Sequence, residues 1–178
     1  RLDGGTEARK QFEIADNMTS TLGALGALLS CEYGVNAAQK FYETWKHERL
    51  VIDKWFSIQM THAKPEEALD VVDRLSAHPD FSIKNPNRFR SVFGPFAGHA
   101  GFHATDGRGY DTLADWLIKL DKINPQPTAR SCSAFDSWRI FAPERQTQMQ
   151  TAMQRILDQE DLSRDTREML TRILGEDG

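Results

Sequence analysis

The sequence predicts an all-α fold, an irregular α-solenoid (an ARM/HEAT-like superhelix) of about nine or ten short helices, and three observations carry that prediction. Nearly every apolar cluster recurs at spacings of three and four residues, the period of a helix that buries one face. No stretch alternates polar and apolar residues as a half-buried strand would. Asn, Ser and Pro at helix openings and Gly at closings divide the chain into segments too short and too many for a four-helix bundle. The register does not repeat cleanly, which makes the solenoid irregular.

The elements follow in order. Thr6 to Ala15 reads as a short helix, and Asp16-Asn17 offers caps for a second that runs to about Leu29. Gly34 suits a left-handed helix-ending position, and Asn36 with Gln39 forms a capping-box-like start for a helix presenting Phe41 and Trp45. The next helix covers about Glu48 to Met60, with Val51, Trp55 and Ile58 on its apolar stripe. Pro65-Glu66-Glu67 is a first turn, Leu69, Val72 and Leu75 follow at core spacing, and His78-Pro79 stops the helix.

Asn85-Pro86-Asn87-Arg88-Phe89-Arg90 opens another helix, with Asn85 as cap and Pro86 at the first position. Arg88 sits where the positive end of the helix dipole opposes a cation, so an acidic partner or anion is expected there, an aspartate being the favoured reading. Gly94-Pro95 and the stretch from Gly98 to Gly109 read as turn-rich, ending in Asp106-Gly107-Arg108-Gly109. Leu113, Trp116, Leu117 and Leu120 mark an amphipathic helix, and Asn124-Pro125 repeats the cap-plus-proline device. Pro143-Glu144 opens a helix with Met149, Met153, Ile156 and Leu157 inward; Ser163 caps the last helix and Gly175 ends it.

The 178 residues, 39% of them hydrophobic, suffice for one core, so residues 1–178 read as a single domain without an internal linker. A net charge of -4 gives no basic field for nucleic acid, and any anion recognition must come from local clusters. No apolar run approaches the ~20 residues that span a bilayer, and no signal-peptide core precedes Thr6, so the expected location is cytoplasmic. Cys31 and Cys132 read as two free, buried thiols in preference to a disulfide.

Chemical motifs are few. His47-Glu48-Arg49-Leu50-Val51 begins like a zinc-peptidase helix, but Val51 stands where the second histidine ligand belongs. His99 and His103 are four apart without a nearby cysteine or acidic third ligand, so structural roles are expected and no metal site is assigned. Gly107-Arg108-Gly109 lacks the strand and Gly-Lys-Ser/Thr of a phosphate loop, and Asn17-Met18-Thr19 matches the glycosylation sequon only by letters. A nucleophilic Cys132 is the weakest of three functional readings, because Ser131-Cys132-Ser133 has neither an elbow nor an evident base. Catalytic residues are therefore assigned to none.

Six segments, read together, resemble the C-terminal domain of bacterial aminopeptidase N, a zinc metallopeptidase of the gluzincin class. They are Gln11-Phe12 to Ala15-Asp16-Asn17-Met18-Thr19, Asp53-Lys54-Trp55-Phe56, His78-Pro79 to Phe81, the Asn85–Arg90 hexapeptide, Phe102-His103 to Asp106-Gly107 to Gly109-Tyr110, and Asn124-Pro125-Gln126. They occur in family order over about Gln11 to Leu174. The resemblance implies that an upstream catalytic domain of the same polypeptide holds zinc, with His-Glu-x-x-His and Gly-x-Met-Glu-Asn segments that do not occur here. The present part would enclose the active-site cavity, gate the entry of small peptides and be inactive alone, with no cofactor of its own and neither nucleic acid nor membrane as partner. Carried over position by position, Gln126, Arg130 and Arg90 would be substrate-binding. Arg130 falls four residues after Gln126, on the same helix face. A guanidinium can hold a peptide's terminal carboxylate by two parallel hydrogen bonds. A stand-alone helical-repeat interaction module is the alternative reading.

Overall fold

In a computed structural model the chain is described for residues 5–31 and 33–175. These form ten α-helices and four short 3₁₀ turns and, among the described residues, no strand. The helices are α1 (Thr6–Ile14), α2 (Met18–Leu29), α3 (Gly34–Trp45), α4 (Arg49–Thr61), α5 (Ala68–Ser76), α6 (Pro86–Ala97), α7 (Arg108–Asp121), α8 (Pro125–Ser131), α9 (Pro143–Leu157) and α10 (Arg164–Leu174). Each packs mainly on near neighbours: α1 on α2, α2 on α3, α3 on α4, and α4 on α6 with α5 alongside. Then α7 packs on α8 and α9, and α10 returns onto α8. This is the stacked helical solenoid that the periodicity predicts.

Several helix ends follow the expected chemistry. Asn17 Oδ1 accepts the Ser20 N–H at 2.9 Å, and Ser163 Oγ accepts that of Thr166 at 3.3 Å. Asn85 Oδ1 takes the N–H groups of Asn87 and Arg88, while Pro86, Pro125 and Pro143 occupy first positions. Gly175 ends α10 with φ 78°, the left-handed value that glycine adopts without a Cβ penalty.

Other expectations are corrected. Gly34 is not left-handed; it opens α3, where a Cβ would lie 2.7 Å from Leu29 Cα, so close backbone approach rather than turn handedness requires it. Asn36 accordingly lies inside the first turn and forms no capping box with Gln39, which donates to Glu43 instead. The buried stripe of α4 is Ile52, Trp55, Phe56, Gln59 and Met60, with Val51 and Ile58 only flanking it. The helix is wedged between α3 and α6 and buries a face wider than one stripe. Asn124 makes no side-chain cap; its carbonyl accepts from the Thr128 hydroxyl at 3.0 Å.

Gly94 and Pro95 lie within α6, not in a turn. Pro95 lacks the N–H that would reach the Ser91 carbonyl, but Phe93 and Phe96 on either side are buried and hold the last turn in place. The stretch after α6 contains the 3₁₀ turn Ala100–His103, which drives Phe102, fully buried, into the core. Gly109 lets the start of α7 run against the Phe102 backbone, where any Cβ would collide.

One core runs from Leu25 to Ile173. Trp55 donates its indole N–H to the Ala38 carbonyl at 2.8 Å, and Trp138 to that of Ile173 at 3.0 Å, so both indoles are buried with their polar atom satisfied. Trp45, expected as an anchor, is only half-buried.

Two carboxylates join distant elements. Asp53 on α4 meets Arg88 Nε at 2.6 Å; the Arg88 side chain is 8% exposed and that of Asp53 19%. Arg88 Nη1 also donates to the Asp80 carbonyl, and the guanidinium lies 4.8 Å from the centre of the Phe56 ring. Tyr42 donates to Asp80 Oδ2 at 2.7 Å, a bond that pushes the phenol pKa up. Asp121, at the end of α7, accepts from Ser163 N (2.8 Å), Ser163 Oγ (2.6 Å) and Thr166 Oγ1 (2.5 Å), tying α7 to the start of α10.

Arg88→Ala should lower unfolding free energy by about 3 kcal/mol, the lower end expected when a buried pair loses one partner, because Asp53 keeps some access to water. Urea denaturation followed by helical circular dichroism measures this, and an unchanged midpoint would show the pair to be energetically idle.

Candidate functional site

The positions of Arg88 and Arg90 follow from helix geometry. Two residues along an α-helix turn the side chain through about 200°. Asp53 holds Arg88 inward, so Arg90 points to the opposite, exposed side of α6. There it lines a recess of about 450 Å³ together with Phe89, Phe93, Gly94, Leu113 and Arg130.

Arg130, near the end of α8, also lines an adjoining recess of about 530 Å³ with Gln126, Asp165, Glu168 and Arg172. The structure thus brings Arg90 and Arg130 to one recess, and Gln126 and Arg130 to the next. Gln126 does not reach the first. Arg90 further borders a shallow groove with Leu50, Asp53, Lys54 and Asn87, where its Nη2 donates to Asn87 Oδ1 at 3.2 Å. Among the described residues no carboxylate forms an ion pair with Arg90 or Arg130. The carboxylates of the second recess are partly engaged, since Glu168 Oε1 meets Arg164 Nε at 2.5 Å.

Two cations at the rim of one recess repel each other, and an anion placed between them would reverse that repulsion. Chemically, then, the first recess is suited to a carboxylate. Its floor was not legible as such in the sequence. Phe89 and Phe93 were readable only as core residues, and Gly94 reads as a turn, although the spacing from Arg90 to Gly94 is that of one helix face.

The histidines have other occupations. His99 Nε2 lies 3.0 Å from the Ala63 carbonyl, and its Nδ1 accepts the Gly101 N–H at 3.1 Å. His103 Nδ1 meets the Tyr110 hydroxyl at 3.1 Å and its ring stacks on Phe141; burial, with a smaller contribution from Arg145, lowers its pKa. Among the described residues no group of three His, Cys, Asp or Glu side chains is placed to hold a metal ion.

Cys132 is fully buried, and burial pushes its thiol pKa up to about 12. The nucleophilic form of cysteine is the thiolate, so this environment is opposite to that of a catalytic thiol. Cys31 is half-buried rather than buried, with Sγ 3.1 Å from the Leu28 carbonyl, and both thiols are free.

Stacked short helices with a cationic surface recess define the class: a helical-repeat domain of ARM type. The chain belongs to the family described as "Domain of unknown function (DUF3458_C) ARM repeats", which matches residues 2–175. It is 39% identical over 178 residues to aminopeptidase N of Haemophilus influenzae, covering 96% of this chain and 20% of the relative. It is 37% identical over 169 residues to aminopeptidase N of Escherichia coli, covering 93% of this chain and 19% of the relative. Aminopeptidase N of Caulobacter vibrioides gives 37% over 169 residues, covering 92% and 19%. Among solved structures, Legionella pneumophila aminopeptidase A in complex with aspartic acid superimposes with a TM-score of 0.90 at 33% identity, covering 97% of this chain and 21% of that one. The chain spans about a fifth of the length of these relatives and corresponds to the C-terminal part of aminopeptidase N.

In the folded chain, thiol titration with a disulfide reagent at pH 8 should modify Cys31 readily and Cys132 only as fast as the protein opens. Rapid modification of Cys132 in a Cys31→Ser variant would contradict the buried, protonated thiol.

Proposed function

We propose that this chain is the C-terminal helical domain of a zinc aminopeptidase that removes N-terminal amino acids from peptides, forming one wall of the active-site cavity and gating the entry of small peptides. The observation that carries the reading is the Arg90–Arg130 recess: two guanidinium groups with no ion pair among the described residues, in a domain whose relatives are aminopeptidases. The roughly fivefold greater length of those relatives supports a part of a larger enzyme over a free-standing interaction module.

The division of labour is as follows. The catalytic domain of the same polypeptide binds zinc and supplies the hydrolytic chemistry at the substrate's amino end. The helical domain works at the other end of the peptide. Arg90 and Arg130 hold the terminal carboxylate by charge-assisted hydrogen bonds. Gln126, one helical turn before Arg130, contacts the substrate with its amide from the adjoining recess. Positioning of this kind would favour short peptides, because a terminal carboxylate held by Arg90 and Arg130 limits the length of chain between it and the catalytic domain. Among the described residues no helix is long and apolar enough to cross a membrane, and we place the full-length enzyme in the cytoplasm.

Arg90→Ala and Arg130→Ala in the full-length enzyme should each raise KM for di- and tripeptides by about tenfold, the effect of losing one charge-assisted bond, with a smaller change for an aminoacyl anilide. Equal effects on both substrate types would count against carboxylate binding. The isolated chain should bind no stoichiometric zinc in calorimetric titration and show no peptidase activity; tight binding would overturn the assignment of the metal to the other domain.

A further inference from the structure

The recess shared by Arg90 and Arg130 is more than a pair of charges. Its floor is aromatic and aliphatic, made by Phe89 and Phe93, whose rings stack at 4.5 Å, and by Leu113. The side of it along the end of α6 is made of Gly94, Ala97 and the following Gly98, which together carry one methyl group. A volume of about 450 Å³ lies toward the small end of the ~300–1,000 Å³ of ligand sites, room for one residue rather than a length of peptide.

Gly94 lines the recess beside Arg90. It is exposed in the interior of α6 with an ordinary negative φ. Apart from its chain neighbours and the backbone of its own helix, a Cβ would meet only Arg90 Cγ at 3.5 Å, an ordinary contact, although the following Pro95 itself favours a residue without Cβ at a helical position. What its hydrogen keeps open is the space above the Phe89–Phe93 floor, directly beside the arginine.

We propose that this recess is a specificity subsite for the side chain of the peptide's carboxyl-terminal residue and prefers an apolar one such as leucine. The inference rests on the carboxylate reading of Arg90 and Arg130: their guanidinium groups at the rim fix the carboxylate, and the side chain on the same α-carbon then descends between Phe93, Leu113 and Gly94. An acidic side chain there would lose its hydration against the apolar floor, whereas glycine would leave the floor uncovered. Hydrophobic pockets discriminate between such ligands by about 10–200-fold.

The test is a comparison of kcat/KM in the full-length enzyme for Ala-Ala-Leu, Ala-Ala-Gly and Ala-Ala-Asp, together with the carboxamides of the first two. Ala-Ala-Leu should exceed Ala-Ala-Gly by about tenfold and exceed Ala-Ala-Asp by more. Gly94→Leu should fill the recess and bring the Leu-to-Gly ratio within about twofold of unity. Gly94→Ala, the smallest addition of volume at this position, should lower the ratio at least about twofold and serves if the larger variant does not fold. Equal turnover of free acids and carboxamides would remove the carboxylate reading itself. A clear preference for acids, with no leucine preference or with a ratio unmoved in a folded Gly94 variant, would remove only the side-chain subsite. Preference for Ala-Ala-Asp would show that the arginines take an acidic side chain instead, which also overturns it.

Discussion

The ion pair between Asp53 and Arg88 is the constraint on which the placement of the candidate site residues depends. A cation near the start of α6 is opposed by the helix dipole by about 0.3–1 kcal/mol in exposed settings. Asp53, 35 positions earlier on α4, reverses that opposition at 2.6 Å, and the Asp80 carbonyl and Phe56 ring enclose the guanidinium. Burying two charges brings a desolvation penalty that close pairing can only roughly offset. The value of the pair therefore lies in specificity. It fixes the rotation of α6 about its own axis, and with it the direction in which Arg90 leaves the helix.

The remainder of the recess is assembled from elements far apart in sequence. Arg90, Phe93 and Gly94 come from α6, Leu113 from α7, and Arg130 and Ala134 from α8 and the turn that follows it. Asp121 links α7 to α10 through Ser163 and Thr166, and α10 in turn backs α8. The C-terminal end of α10 is held by Arg139, which donates to the carbonyls of Ile173 and Leu174 while lying 4.4 Å from the centre of the Trp138 ring. Both ends of the helix behind Arg130 are thus fastened by buried or stacked polar groups. A scaffold built in this way holds its cations steady, which matters more for recognising a carboxylate than the number of cations does.

Most helices were legible because they bury a face at their own period, and several open on a recognisable cap or proline, as at Asn17, Asn85, Pro143 and Ser163. The misreadings occurred where tertiary contact overruled local chemistry. Gly34 and Gly109 serve backbone approach rather than turning, and neither purpose leaves a local signature. Gly94-Pro95 breaks a helix in isolation, but the buried Phe93 and Phe96 carry α6 past it. Of the candidate site, the hexapeptide disclosed its two cations and even the expected aspartate partner of one. The sharing of a recess by Arg90 and Arg130 was not readable, since it depends on how α6 faces α8 across α7. Gln126, grouped with Arg130 by helical spacing, proved to line a different hollow from Arg90.

The 3₁₀ turn at Ala100–His103 bears on how the molecule moves. Repeat proteins usually gain and lose structure one unit at a time, because each unit touches only its neighbours. Here Phe102 lies against Phe96 of α6, Tyr110 of α7 and Phe135 beyond α8, so one side chain interlocks the earlier and later halves of the stack. Opening either half exposes the same ring. The boundary between repeats is therefore poorly placed as a hinge, and α6 and α8, which line one recess, should lose and regain structure as one cooperative unit.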